Sequence, residues 1–315
     1  MYLWEMLKFD HIRHFIATAE TGSIKDAAEK IRISPTSIRH SIEKLETGLN
    51  ATLFVRRPSE GVSLTNDGYR LLERTTHLIS DVEDIESLFI TSKRKLRGNL
   101  IIGCQEGLTW SLVPRAIELM NQAHPDVNIS VKTVWMETQF ETLEKAEVDV
   151  LLTFTLDEVK DKRYQANVLC RPQACAMMRK GHDLDNGKPV KLSDLANYPH
   201  IFIQDGPAMT LFSGMYQKVG LEPVIYMYSN ISTGAQSVVG RTDAISLRIL
   251  RPAIGLTPLG DGMVVPMIKD KVQKPWLVAM TNKIKRPLAL DKRTEFINIC
   301  HQLFDGGQMK KHIYY

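Results

Sequence analysis

The first fifty residues carry apolar positions at helical spacing three times in succession. Ile12, Phe15, Ile16 and Ala19 follow i, i+3, i+4, i+7 and predict a helix over 10–21, with Asp10 placed to cap it and Gly22 to end it. Ile24, Ala27, Ala28 and Ile31 repeat the spacing, with Ser23 as the expected N-cap and Asp26 in the position of a weak capping box. Two adjacent alanines let another helix approach closely. A third helix opens with Ser34 as N-cap and Pro35 at its first position, where a fixed φ helps and a missing N–H costs nothing. Its apolar stripe is Ile38, Ile42, Leu45 and Leu49. A rotation of about 100° per residue puts Thr36, His40 and Glu43 on the opposite side, flanked by Arg39 and Lys44.

Only residues 32–34 separate the second helix from the third. So tight a join is the helix-turn-helix arrangement, in which the second helix lies in the major groove with its N-terminal side chains at base edges. Ser34, Pro35, Thr36, Ser37, Arg39 and His40 are then the candidate DNA contacts. Two short β-prone pieces around Arg57-Pro-Ser-Glu-Gly61 predict a hairpin wing, with Arg56 and Arg57 as phosphate candidates and Glu60 an unhelpful charge at its tip. Three packed helices with solvated polar faces, as in any small bundle, would account for the same spacing without DNA.

From 66 to about 92 the chain has no proline and one early glycine, and Leu71, Thr75, Leu78, Val82, Ile85 and Phe89 recur at alternating intervals of four and three. That heptad seam predicts pairing with a second copy of the helix; an intramolecular packing face is the alternative. The basic cluster 93–97 suits a helix C-terminus and makes a natural hinge before Gly98. Beyond it the texture alternates. Strands over 99–103, 127–135 and 148–154, with helices over 114–122 and 139–146 between them, argue for a parallel sheet with ligands at its carboxyl edge. A second run follows, with strands over 169–178, 200–203, 224–228 and 243–247 and helices over 192–196, 209–219 and 233–239.

At 315 residues the chain is long enough for two or three domains, and a formal charge of +4 is too mild to argue nucleic-acid binding from bulk charge. No apolar run approaches the roughly 20 residues of a membrane span, and the apolar start 1–7 has neither the bases nor the cleavage site of a signal peptide, so cytoplasmic residence is expected. Cys104, Cys170, Cys175 and Cys300 form no disulfide framework or zinc pattern. On one strand Cys170 and Cys175 would point to opposite faces. His182 beside Asp183 and Asp185 reads as a solvated turn, so no metal and no cofactor are expected.

Phe15, Ala19-Glu20, Gly22-Ser23, Ala27-Ala28, Ser34-Pro35, Ile42, Leu45-Glu46, Leu53-Phe54, Arg56, Leu64-Thr65 and Gly68 stand in the order and spacing of the N-terminal domain of LysR-type transcriptional regulators. This resemblance runs over about sixty continuous residues. Where the family has Ser-Arg in the recognition helix, this chain has Arg39-His40, and its wing is about one residue longer, which implies a changed readout. Arg39 can bond guanine O6 and N7 together, while His40 offers one donor or acceptor according to its protonation.

The resemblance implies an all-α winged helix-turn-helix (1–65), a linker helix and hinge that dimerise the chain (66–97) and a two-lobed α/β effector domain like periplasmic binding proteins (98–305); the tail 306–315 is left over as an extension to which the sequence assigns no fold. Lobe I would comprise 98–162 and 268–305, and lobe II 163–267. It further implies a bacterial homodimer or homotetramer on an inverted-repeat operator, and RNA polymerase as a partner of any activator. By the same resemblance the cleft would be lined by Gln105, Glu106, Thr109, Trp135, Met136, Thr153, Phe154, Gln204, Asp205, Ser232 and Thr233. Glu106 and Asp205 would make a purely anionic ligand uncomfortable, and Trp135, Met136 and Phe154 suggest an apolar or aromatic body, unless those residues are core. The same region lacks a nucleophile elbow, a phosphate-cradling loop and a His-Glu-x-x-His pair, so a binding domain fits better than an enzyme. The competing reading is a small-molecule binding protein or enzyme whose N-terminal helices serve only for assembly.

Overall fold

Helix α1 (Phe9–Thr21) starts one residue earlier than its apolar pattern suggests: Lys8 occupies the N-cap, and Asp10 lies in the first turn, where its charge suits the helix's positive end without capping it. Gly22 ends α1 in the left-handed conformation at φ 65°. The computed structural model describes residues 7–57, 61–87, 96–204, 206–283 and 291–315. Its two units are Met1–Arg94 and Lys95–Tyr315. In α2 (Ile24–Ile31) the Asp26 N–H donates to Ser23 Oγ at 3.3 Å, while the Ser23 N–H donates to Thr21 Oγ1 at 3.4 Å. α3 (Pro35–Leu49) has Ser34 as its cap, accepting from the Ser37 N–H at 3.1 Å. Ile38, Ile42 and Leu45 are buried; Leu49 is 37% exposed and leaves the expected stripe, because the helix stops there and Asn50 turns left-handed.

The wing is the antiparallel hairpin β1 (Phe54–Arg57) and β2 (Gly61–Leu64), in register Phe54↔Leu64 and Arg57↔Gly61. Glu46 ties α3 to the wing: its Oε1 accepts the N–H groups of Leu53 at 2.7 Å and Phe54 at 3.2 Å. Thr65 Oγ1 donates to the Thr52 carbonyl at 2.5 Å and accepts the Gly68 N–H at 3.0 Å, which caps α4 (Asn66–Ser87). A Cβ at Gly68 would collide with the Leu53 carbonyl and the Leu64 side chain, so only glycine fits. Leu71 and Leu72 pack on the Phe15, Leu45 and Leu53 core. Thr75 is 5% exposed and bonds the Leu71 carbonyl at 2.8 Å. The first turns of the heptad seam therefore serve their own subunit, which corrects Leu71 and Thr75 as pairing residues. Leu78 is 43% exposed. The side chain of Ile85 and all of Phe89 lie outside the described residues, as do Glu60, residues 93–95 of the basic cluster and most of the apolar start.

The second unit opens with β3 (Arg97–Cys104), α5 (Glu106–Thr109), α6 (Val113–Ala123), β4 (Asp126–Thr133), α7 (Gln139–Glu144), β5 (Val150–Thr155) and β6 (Tyr164–Cys170). It continues through β7 (Cys175–Arg179), α8 (Leu192–Leu195), β8 (His200–Ile203), α9 (Gly206–Gln217), β9 (Ile225–Ser229), α10 (Ser232–Val239), β10 (Ser246–Arg248) and β11 (Met263–Val264). β12 (Trp276–Asn282) and α11 (Lys292–Asp305) return. Among the described residues, lobe I holds a five-stranded sheet ordered β4-β3-β5-β12-β6, parallel for β3 with β4 and β5 but antiparallel around β12. The sheet is mixed, since the chain re-enters it from the other lobe. Lobe II holds the sheets β10-β7-β11 and β8-β9.

The continuous strand over 169–178 is two strands in different lobes, because Arg171-Pro172 interrupts it and carries the chain across. Lobe I therefore extends through Cys170, well past 162. Cys170 and Cys175 share no strand; both are buried, and burial pushes each thiol up to about 12. The tail is also folded. Gln308–Lys311 forms a 3-10 turn, Met309 and Ile313 are each 1% exposed, and Tyr314 bridges Gln173 while its hydroxyl donates to the Val265 carbonyl at 3.0 Å. Arg251 donates to Tyr314 Oη and to the Lys310 carbonyl, both at 2.6 Å. Isoleucine, methionine and tyrosine at these positions bury area that no polar extension could.

Candidate functional site

Two surfaces concern function. On the first unit, the capping bonds start α3 at Pro35, and burial of Ile38, Ser41 and Ile42 fixes which way it faces. Ser41 Oγ pairs with His14 Nδ1 at 2.7 Å, which joins α3 to α1. The opposite side is left to solvent: Ser34, Pro35, Thr36, Ser37, Arg39 and His40 are all exposed. Ser34 and Ser37 bond to each other through their hydroxyls at 2.8 Å, while Thr36, Arg39 and His40 project from the same N-terminal turns. The backbones of Arg56 and Arg57 lie in β1; their side chains are outside what is described. Arg32 was overlooked by sequence reasoning. It holds φ 60° in the turn itself and is exposed next to the start of α3.

On the second unit, a cleft opens between lobes and receives Gln105, Glu106, Trp135, Met136, Phe154 and Ser232. Trp135 lies past the end of β4 and is 45% exposed, so it is no core residue. Phe154 packs against the cores of both lobes. Thr109 and Thr153 are used elsewhere. Thr109 Oγ1 closes α5 on the Glu106 carbonyl at 2.6 Å. Thr153 is wholly buried, where its hydroxyl accepts from Gln105 Nε2 at 2.6 Å and donates to Gln139 Oε1. Gln204 is exposed away from the lining, and Asp205 is outside the described residues.

Thr233 is turned to Glu106 instead of to a ligand. The Glu106 carboxylate of lobe I accepts the Ser232 N–H at 2.8 Å, the Thr233 N–H at 3.4 Å and the Thr233 hydroxyl at 3.1 Å. It therefore occupies the N-terminus of α10 in lobe II, where free N–H groups and the helix dipole stabilise negative charge. Of the two charges set against an anionic ligand, Glu106 is thus already compensated, and Asp205 is outside the described residues. Arg248, missed because the strand was ended at Leu247, lines the same cleft at 7% exposure. Its Nη1 donates to Ser232 Oγ at 3.2 Å. Burial lowers its pKa to about 10, opposed by Cys175 and Glu106, so it stays charged at neutral pH. An arginine closing the apolar run Ala-Ile-Ser-Leu was the available signal. Trp110, Leu211, Phe212, Ile249 and Leu250 complete the apolar walls. Among the described residues no group of side chains is arranged to hold a metal, and no helix is long and apolar enough to cross a membrane.

A winged helix-turn-helix with one exposed polar face, followed by a two-lobed α/β unit around an apolar cleft, defines the class of ligand-responsive DNA-binding proteins. The family model "Bacterial regulatory helix-turn-helix protein, lysR family" matches residues 9–69, and "LysR substrate binding domain" matches residues 93–267. The chain belongs to the LysR family: it is a DNA-binding transcriptional regulator with an effector-binding domain. It is 25% identical over 275 residues, covering 85% of this chain and 83% of the relative, to the transcriptional regulator BenM of Acinetobacter baylyi. The crystal structure of HinK, a LysR family regulator from Pseudomonas aeruginosa, is 25% identical with a TM-score of 0.58, covering 96% of this chain and 99% of that one. Full-length CbnR complexed with its target DNA shares the fold at 18% identity and a TM-score of 0.61, covering 94% of this chain and 99% of the other. Both halves match regulators, which sets aside the reading of the N-terminal helices as mere assembly elements.

Proposed function

We propose that this regulator reads an inverted-repeat operator as a homodimer or homotetramer, and that a small molecule in the interlobe cleft alters how its subunits sit on DNA. The observation that carries the reading is the capped start of α3, which leaves Thr36, Arg39 and His40 exposed at the end that enters a major groove. Thr36, Arg39 and His40 contact bases, Ser34, Pro35 and Ser37 set the helix start against the backbone, and Arg56 and Arg57 hold phosphate. Leu78, Val82 and Ile85 on α4, with Phe89 next in the heptad pattern of the sequence, pair two copies of the chain, so the two reading heads meet half-sites related by a dyad. The exposed apolar positions Val224, Ile225, Tyr226, Tyr228 and Ile231 around β9 support further association of effector domains. Gln105, Glu106, Trp135, Met136, Phe154, Ser232 and Arg248 form the effector site.

The protein acts in the cytoplasm, where its DNA is, without catalysis or cofactor, and contacts RNA polymerase where it activates. Selection of duplexes from a random DNA library at two salt concentrations tests the reading. Recovery of an inverted repeat, with affinity falling steeply as salt rises, is the expected result. Absence of enrichment at either salt, with and without cell extract to supply an effector, would count against it.

A further inference from the structure

Arg248 is the side chain the cleft leaves unfinished. Among the described residues its Nε and Nη2 have no hydrogen-bond partner, although the residue is 7% exposed. Trp110 Nε1, in the same wall, is likewise buried without an acceptor. Gln105 Oε1 is the opposing buried acceptor left unpaired. Among the described residues, unfilled donors thus outnumber unfilled acceptors in this cleft, and the strongest of them belong to a desolvated cation. A buried guanidinium is retained at a cost unless its fork meets an acceptor, above all an ionised one. Glu106 is not that acceptor, since its carboxylate is bonded to Ser232 and Thr233 at the start of α10.

We propose that the effector is a monoanion, a single carboxylate on an apolar body, whose acid pairs with the Nε–H and Nη2–H of Arg248. This deepens the reading of the cleft as the effector site and rests on it. Trp135, Met136, Phe154 and Phe212 supply the apolar contact for the body. A second acid is disfavoured at α10. The N-terminus of that helix, where an anion would otherwise be stabilised, is filled by the chain's own carboxylate, and a diacid would have to displace Glu106 against like-charge repulsion.

The test uses the full chain and three matched probes: phenylacetate, neutral phenylacetamide and dianionic 1,4-phenylenediacetate, each followed by calorimetry and thermal unfolding at millimolar concentration. Phenylacetate is expected to raise the unfolding temperature and to bind roughly tenfold or more tightly than the amide, with the diacid no better than the amide. Arg248→Met should erase the preference for acid over amide with native circular dichroism. Arg248→Lys, which keeps the charge but not the fork, serves as second variant should the methionine protein fail to fold, and should reduce that preference. Glu106→Gln should admit the diacid. Equal binding of acid and amide, preference for the diacid, or no binding of any probe overturns the proposal. Binding of phenylacetate that survives both Trp135→Ala and Arg248→Met would place it outside the cleft and overturn the underlying reading. Binding lost with Trp135→Ala but retained with Arg248→Met would leave the cleft in place and remove only the monoanion.

Discussion

Glu106 Oε2 accepts the backbone N–H of Ser232 at 2.8 Å, so a carboxylate from one lobe of the effector domain caps a helix of the other. Glu106→Ala should remove this cap and lower the stability of the second unit by about 1 kcal/mol, as for other lost N-caps. Urea unfolding of the full chain measures it. An unchanged midpoint would mean that the contact contributes nothing to holding the lobes.

Arg39 is exposed on the polar face of α3. Arg39→Ala should weaken binding to a selected operator by about 1 to 3 kcal/mol, with the loss concentrated at particular base pairs. Competition binding against single-base operator variants resolves this. A uniform loss at every position would make Arg39 a phosphate contact instead.

Thr75 and Leu78 lie one turn apart on α4 with different burial, 5% against 43% exposed. Leu78→Glu should dissociate the oligomer in sedimentation velocity with the fold retained. Thr75→Asp should instead unfold or loosen the first unit, because it buries a charge inside one subunit. An oligomer unaffected by Leu78→Glu would remove α4 as the pairing element.

Gly68→Ala should destabilise the first unit by about 1 to 3 kcal/mol, because the new methyl meets the Leu53 carbonyl and the Leu64 side chain. Thermal unfolding checks it, and a neutral result would show that the start of α4 shifts freely.

His200 is 1% exposed, with Nδ1–H donating to the Tyr198 carbonyl at 2.8 Å and Nε2 accepting from the Tyr216 hydroxyl. Burial lowers its pKa from 6.5 to about 4, partly offset by the Tyr198 bond. Between those values the unfolded chain binds a proton that the folded chain refuses. Stability from this group is therefore complete above 6.5, declines as pH falls and has lost about 3 kcal/mol by pH 4. His200→Gln, which cannot titrate, should flatten that part of the pH profile in urea unfolding. A slope as steep as that of the unaltered protein would assign the acid sensitivity to other groups.

Local chemistry was legible in the chain. Ser23, Ser34-Pro35, Gly22 and Thr65 set helix ends through their own backbone neighbours, so which face of α3 is buried and which is exposed follows from spacing. What required the fold was every relation between distant residues. The break at Arg171-Pro172 moved β6 into lobe I, where β12, more than a hundred residues later, completes its hydrogen bonds. The tail 306–315 owes its fold to distant partners, Gln173, Arg251 and Val265, which no local pattern in it announces. Glu106 and Arg248 depend on the fold most. An acid and a base announce their charge in a sequence, but which one is neutralised by a helix end and which is left desolvated is decided by what surrounds them in three dimensions.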